Sequence, residues 1–147
     1  MKSFIKNLSL MLVMMLPLVS CADNDKPIPF EQLPAAAQQI VKKHFAAKQV
    51  ALVTLDKEFM KKSYDITFSD GTKLEFDGNG EWKDIDCQQE AVPAALVPKQ
   101  IADYVKKAYD QAFITELSRD RKGYEVKLSN QLELKFNKQM VFVGVDD

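Results

Sequence analysis

The stretch Tyr64–Asp86, "YDITFSDGTKLEFDGNGEWKDID", decides the fold. Tyr64, Ile66 and Phe68 alternate with polar residues, which is typical of a half-buried strand. Asp70-Gly71 predicts a two-residue hairpin turn, and "DGNG" predicts a second turn before a last strand, "EWKDID". Because the connections are short, the stretch predicts an antiparallel sheet with one apolar face and one polar face.

The same pattern occurs again later in the chain. "YEVKLSNQLELKFNKQMVFVGVD", residues 124–146, aligns with the first stretch without a gap at a spacing of 60. Upstream, "LPAAAQQIVKKHF" (33–45) matches "VPKQIADYVKKAY" (97–109) at a spacing of 64, and the difference falls in the first hairpin, "LVTLDKEFMKKSY" against "ITELSRDRKGY". Length changes of this kind are tolerated at hairpin tips. The chain is therefore two copies of one unit.

Each unit opens with an amphipathic helix and continues with four strands. Apolar residues recur at helical spacing in both predicted helices, and Pro34 and Pro98 stand at their starts, where a missing N–H costs nothing. We predict an α+β fold of two tandem α-β-β-β-β repeats, with both helices on one face of a continuous eight-stranded antiparallel sheet. Two separate four-stranded sheets are the alternative. The predicted boundaries are 30–87 for the first repeat, 88–96 for a linker and 97–147 for the second repeat.

The N-terminus resembles a lipoprotein signal. Lys2 and Lys6 precede an apolar run that is shorter than the roughly 20 residues a spanning helix needs. "LVSC", ending at Cys21, resembles a bacterial lipobox, in which the cysteine receives a diacylglycerol and becomes the new N-terminus. We therefore expect a signal peptide at 1–20, lipidation of Cys21 and a polar tether at 21–29. An ordinary secreted protein with an incidental cysteine is the alternative.

Charge and motifs argue against several classes of function. Removing residues 1–20 deletes two lysines and no acidic residue, so the formal net charge moves from −1 to about −3, which disfavours nucleic acid as a partner. A hydrolase would have to use Cys87 or His44, and no third orienting group accompanies them. "DGNG" lacks the ligand spacing of a calcium loop, and the sequence has no zinc or phosphate-binding motif. We expect no enzymatic activity, metal or cofactor.

Several motifs resemble one family. The helices opening with Leu-Pro or Val-Pro, the "DG" hairpin and "F-D-x-x-G-x-W" resemble the PepSY-like domains of secreted bacterial proteins. Two copies behind a lipobox are similar to the periplasmic PepSY-like proteins of Bacteroidetes, whose tandem architecture is similar to the β-lactamase-inhibitor-protein fold. This resemblance implies secretion and a role in binding or restraining partner proteins such as peptidases. In the second copy "SNQ" replaces "SDG" and "NKQM" replaces "DGNG".

The predicted function is that of a lipid-anchored, non-enzymatic binding module of the cell envelope. It would sit on the outer membrane, facing the periplasm or the cell surface, or else be soluble in the periplasm. The polar sheet face carries charges of both signs, at Asp65, Lys73, Glu75, Lys127, Glu133 and Lys135. The candidate residues for binding a protein or peptide are Glu75, Trp82, Asp84, Lys135 and Phe142.

The facing of the two aromatic candidates depends on turn length. The length of the turn after Phe76 sets which side Trp82 takes. A three-residue loop turns Trp82 towards the core with Phe76, which we favour because an isolated tryptophan is usually packed; a two- or four-residue loop turns it outward as a binding anchor. Phe142 lies in "VFV", which is either covered on both faces or part of a contact patch. A small-molecule binder with a cavity between the helices and the sheet is the alternative function.

Overall fold

A computed structural model of the chain describes residues 25–146. Nine strands form one antiparallel sheet in which spatial order follows chain order. The strands are β1 (Lys26–Pro27), β2 (Val50–Glu58), β3 (Lys61–Phe68), β4 (Lys73–Asp77), β5 (Trp82–Asp86), β6 (Ile114–Arg119), β7 (Gly123–Leu128), β8 (Glu133–Asn137) and β9 (Phe142–Asp146). The helices are α1 (Ala35–His44) and α2 (Lys99–Ala108). The predicted α+β class and the tandem repeat are confirmed. The predicted signal peptide and Cys21 lie outside the described residues.

The repeats join through β5 and β6, where Ile85 pairs with Leu117. The sheet is therefore continuous, and the alternative of two separate sheets is wrong. The predicted count of eight strands is also wrong by one, because Lys26 and Pro27 pair with Leu55 and Thr54 along the outer edge of β2. These two residues fall within the range predicted as a tether.

Four of the hairpins use the same turn. After Phe68, Asp77, Leu128 and Asn137, a three-residue loop closes with the same two backbone hydrogen bonds, so the predicted two-residue turn at Asp70-Gly71 is wrong. The third loop residue has a positive φ, which is 93° at Gly71 and 85° at Gly80. Gln131 and Met140 take the same conformation in the second copy, at 73° and 63°. The geometry thus survives the loss of the glycines.

The core lies between the helices and the sheet. Ala37 and Val41 of α1 and Ile101 and Val105 of α2 are buried. They pack on the inward-facing strand residues, which include Ile66, Phe68, Leu74, Phe76, Ile85, Leu117, Val126, Leu128, Leu134 and Phe136. None of these strand side chains is more than 3% exposed. The helix–sheet interface is thus filled by side chains, which weakens the case for a ligand cavity there.

Candidate binding surface

The loop between β4 and β5 decides the facing of Trp82. Its three residues, 78–80, place Trp82 opposite Phe76 on the helix side of the sheet, where it is 8% exposed. The Arg119 guanidinium lies over the indole, 4.2 Å from the ring centroid, and Arg119 Nε donates to the Trp82 carbonyl at 2.7 Å. Trp82 is therefore a core residue covered by the second repeat, and an outward anchor at this position is excluded.

Phe142 occupies the equivalent position at the end of the sheet. It pairs with Phe136, stacks on Tyr104 at 4.7 Å between ring centroids, and is only partly exposed. Its neighbours Val141 and Val143 are 57% and 65% exposed. The two faces of this strand thus differ. Phe142 packs on α2, whereas Val143 meets solvent at a strand edge that no other strand covers within residues 25–146.

The open face of the sheet carries a row of carboxylates in the first repeat. Asp65, Glu75 and Asp84 lie on three consecutive strands, and each is the direct cross-strand partner of the next. Residues opposite each other in an antiparallel pair have Cβ atoms about 5 Å apart, and like charges in such pairs are destabilising. We call these three residues the acidic row. Two of the candidate residues, Glu75 and Asp84, belong to it.

The environment of the acidic row favours the uncharged carboxyl. Burial, followed by repulsion from Glu75, raises the pKa of Asp65 from 3.8 to about 6. The same two causes, with Glu116 added, raise the pKa of Asp84 to about 6. Lys83 reaches the row from a bulge in β5, and its Nζ lies 2.8 Å from Glu75 Oε1. The hydrogen bond to Glu75 raises the pKa of Lys83, and the charge of Lys83 lowers the pKa of Asp65 slightly, but neither half-buried aspartate forms an ion pair within residues 25–146.

The second repeat lacks this row. The positions equivalent to Asp65, Glu75 and Asp84 are Glu125, Lys135 and Gly144, so opposite charges face each other where the first repeat has like charges. Lys135, another candidate residue, also pairs with Asp146 at 2.6 Å. Glu125 on β7 pairs with Lys135 across strands, and β6 and β7 lie between Lys135 and Asp84, so the structure does not bring Lys135 together with Glu75 and Asp84.

A second exposed feature was missed in the sequence. Phe59 and Met60, at the tip of the β2–β3 hairpin, are fully exposed. Lys57, Lys61 and Lys62 surround them, all exposed. The available signal was an apolar pair flanked by lysines, "KEFMKK", in the one hairpin whose length differs between the copies. An open cleft of about 830 Å³ runs from this hairpin past Trp82 to Arg121.

The residues considered for catalysis do not form a site. Cys87 is 2% exposed, and burial raises the pKa of its thiol to about 11, so it stays protonated at neutral pH. His44 ends α1. Within residues 25–146 no three His, Cys, Asp or Glu side chains are grouped so that they could hold a metal ion. Neither helix in this range is long and apolar enough to cross a membrane.

The family model described as "Putative beta-lactamase-inhibitor-like, PepSY-like" matches residues 19–61 and 62–143. The chain belongs to the PepSY-like family. A comparison with curated proteins gave no match.

Solved structures agree with the assignment of this PepSY-like protein. A "putative periplasmic protein from DUF2874 family" of Bacteroides vulgatus is 44% identical, with a TM-score of 0.83 over 86% of this chain and 99% of that one. A "putative calcium-regulated periplasmic protein" of Bacteroides thetaiotaomicron is also 44% identical, with a TM-score of 0.82 over the same shares. A third, from Bacteroides vulgatus and of unknown function, is 37% identical with a TM-score of 0.79 over 84% and 99%. The relatives are thus described as periplasmic.

Proposed function

We propose that this PepSY-like protein is a lipid-anchored, non-enzymatic module of the cell envelope that binds a protein partner on the open face of its sheet. The acidic row carries the proposal. Three carboxylates held side by side repel one another, and no requirement of the fold explains them, because the second repeat builds the same strands with Glu125 opposite Lys135. Features that cost stability without serving the fold are expected at functional sites.

The chemistry of the row specifies the kind of partner. Asp65 and Asp84 are half-buried carboxyls that form no ion pair within residues 25–146, so a lysine or arginine brought by a partner would pair with them and lower their raised pKa. Complementary charge of this kind steers encounter and fixes register more than it supplies affinity. The partner surface is therefore expected to be basic where it meets the row. An envelope peptidase with a basic surface would be such a partner, and the inhibitor-like description of the family supports an inhibitory role.

The surface is better suited to binding than to bond-making. Acid–base catalysis needs a positioned pair of groups within reach of a bound substrate. The acidic row instead lies on an open sheet face, and the buried, protonated Cys87 is on the other side of the sheet. The small-molecule alternative has less support, because the space between helices and sheet is occupied by core side chains.

The second repeat provides matched variants for a test. Glu75→Lys introduces the residue that the second repeat has at the equivalent position, Lys135, and Glu133→Lys introduces the residue that the first repeat has, Lys73. Both lie on the open face and change the charge equally, so only the place of the change differs. Tagged full-length chains would be cross-linked in the native envelope, and the captured proteins would be identified and quantified.

We expect Glu75→Lys to lose the captured partner and Glu133→Lys to retain it. The purified partner should then bind the wild-type chain with an affinity that falls as salt rises. If the partner is a peptidase, its rate should fall when the chain is added. Capture would be repeated with calcium and with a chelator, since one relative is described as calcium-regulated. Equal capture by both variants would contradict the proposal.

A further inference from the structure

The β2–β3 hairpin ends in the most exposed apolar residues of the described chain. Phe59 and Met60 are 101% and 100% exposed, so residues 25–146 leave both side chains uncovered. Phe59 also has a positive φ of 53°, which a phenylalanine seldom adopts. The equivalent hairpin of the second repeat is four residues shorter and has "RDRK" at its tip. The extension therefore places two large apolar groups in solvent that the fold does not use.

We infer that this tip inserts into the interface of a lipid bilayer, beside the lipid anchor of the same chain. The inference rests on the anchor that the proposed function assigns to Cys21. A bilayer interface suits an apolar tip with a basic surround, because the apolar side chains enter the acyl boundary and the cations meet the headgroup phosphates.

The course of β1 directs the N-terminus towards the tip. Lys26 pairs with Leu55 and Pro27 with Thr54 in antiparallel register, so the chain before Lys26 leaves in the direction in which β2 approaches Phe59. Phe59 lies four residues beyond Leu55, about 13 Å along a strand. Cys21 is five residues before Lys26, a span of at most about 17 Å when extended. The acyl chains on Cys21 can therefore reach the level of the hairpin tip.

Charge at the tip of the β2–β3 hairpin fits an anionic surface. In an antiparallel meander, the β2–β3, β4–β5, β6–β7 and β8–β9 connections lie at one end, and the exposed cations there are Lys57, Lys61, Lys62, Arg121, Lys122 and Lys138. The acidic residues at this end are Asp25, Asp56, Glu58, Asp77, Glu81 and Asp120, and Asp120 accepts hydrogen bonds from two N–H groups of its own turn. The charges of the whole end therefore balance, but within the hairpin tip, residues 57–62, three lysines stand against one glutamate, so the immediate surround of Phe59 and Met60 is basic.

The anchor also favours a bilayer over a pocket on another protein. A tether of about five residues keeps the tip at a high effective concentration next to the membrane that holds the acyl chains. Docking the tip on lipid also leaves the sheet face with the acidic row standing away from the bilayer, since the row lies part-way along the strands. Membrane contact and partner binding then use different surfaces of one molecule.

A fluorescent label at the tip tests the inference. Met60→Cys and Gln89→Cys place one exposed thiol each at opposite ends of the sheet, and buried Cys87 is shielded from labelling. The full-length variants would be lipidated in a bacterial host, purified, labelled with an environment-sensitive dye and reconstituted in phosphatidylethanolamine vesicles with or without phosphatidylglycerol. Nitroxide-bearing lipids would quench any dye that enters the bilayer.

We expect the Met60 label to shift its emission to shorter wavelength and to be quenched, more strongly with phosphatidylglycerol, while the Gln89 label stays unchanged. A Met60 label that remains in water on these vesicles would overturn the inference. The same holds if the label is protected only in native envelope fragments, because a protein receptor and not the lipid would then cover the tip. Mass spectrometry of the N-terminal cysteine reports the anchor separately. A missing lipid would thus count against the proposed function, and an unshielded tip on a lipidated chain against this inference alone.

Discussion

At the scale of single residues, the turn asparagines and aspartates explain why the repeat is visible in the sequence. The Oδ1 atoms of Asp77 and Asn137 each accept two backbone N–H groups within their loops, and those of Asp70 and Asn130 each accept one. Both residue types offer the same acceptor, so they interchange freely. The third loop position does not interchange freely, because it requires a positive φ.

Gln131 is the clearest case of a residue that does not suit its conformation. It is exposed and has a φ of 73°, where its counterpart is Gly71. We predict that Gln131→Gly raises the free energy of unfolding by about 1 kcal/mol, because glycine has no Cβ to strain the left-handed region. Urea denaturation would measure it. Gln139→Gly is the control, because Gln139 lies in a neighbouring loop of the same type but does not itself have a positive φ; it should bring no gain, and equal gains would contradict the explanation.

Gly123 is constrained by contact rather than by the turn. A Cβ built on it would lie 2.0 Å from the carbonyl oxygen of Phe136 and 2.9 Å from Asn137 Cα, which are backbone atoms that cannot move aside without breaking the β7–β8 pairing. We predict that Gly123→Ala costs about 3 kcal/mol or more of stability. Thermal and urea unfolding would test it, with Gly144→Ala as the control, since a Cβ at that position meets nothing within 4 Å.

At the scale of elements, the alternation of apolar and polar residues predicted which strand side chains face the core, except where a β-bulge interrupts the strand. Ile66, Leu74, Val126 and Leu134 follow the pleat and are buried as their pattern indicates. The alternation fails after the β4–β5 turn and after the equivalent β8–β9 turn, because a bulge follows each of them. In β5 the bulge places Lys83 and Asp84 in succession on the open face. Loop length and bulges are set by backbone hydrogen bonding, which the hydrophobic pattern does not encode.

The edge strand β9 has one side packed on the core and one side exposed to solvent, and two substitutions test this assignment. Phe142 stacks on Tyr104 and contacts Phe136 edge-on, so Phe142→Ala should lower the free energy of unfolding by about 2–3 kcal/mol. Val143 is 65% exposed, and Val143→Ala should change it by less than about 0.5 kcal/mol. Denaturant unfolding of both variants would settle the point. A larger loss at Val143 would mean that the strand is covered on its solvent side.

The exposed edge of β9 leads to a separate expectation about solubility. Val143 and Val145 lie on β9 and Val141 directly precedes it. The equivalent strand of the first repeat, β5, has Glu81 and Lys83 at the positions of Val141 and Val143 and pairs with β6. Uncharged strand edges invite pairing with another chain. We predict that Val143→Lys, which restores the first-repeat residue, reduces concentration-dependent association in sedimentation velocity without lowering stability. Lys135→Arg is the control, because it keeps the charge of the open face unchanged. Val53→Lys would not serve as one, because Val53 is buried.

At the scale of the whole molecule, the duplicated unit was enough to predict the class, the helix placement and the continuous sheet. The ninth strand could not be predicted, because Lys26 and Pro27 have no strand pattern and are held only by the free edge of β2. The acidic row was predicted in part. Glu75 and Asp84 were chosen from the sequence, but their alignment with Asp65 depends on the cross-strand register and on the β5 bulge.

The acidic row also shapes how stability depends on pH. A carboxyl whose pKa is higher in the folded chain than in the unfolded chain binds more protons when folded, so stability falls as pH rises between the two pKa values. The pKa values of Asp65 and Asp84 rise from 3.8 to about 6, so both aspartates make stability fall as pH rises between about pH 4 and pH 6. Asp70, with a pKa lowered to about 2 by Lys48 and by hydrogen bonds from Thr72, acts in the opposite sense and only below about pH 4.

We therefore predict that the wild-type chain gains stability on acidification from about pH 7 to about pH 4.5, by about 1 kcal/mol for each aspartate after allowance for solvent screening of half-exposed groups. The double variant Asp65→Asn, Asp84→Asn should be more stable than wild type at neutral pH and should lose most of this pH dependence, because its amides stay neutral throughout. Urea denaturation across this range would measure both effects. Asp110→Asn, an exposed change away from the row, should leave the pH profile as it is. A wild-type chain that instead weakens steadily below neutral pH would show that the row is already compensated in the free protein, and the partner would then have no unmet charge to neutralise.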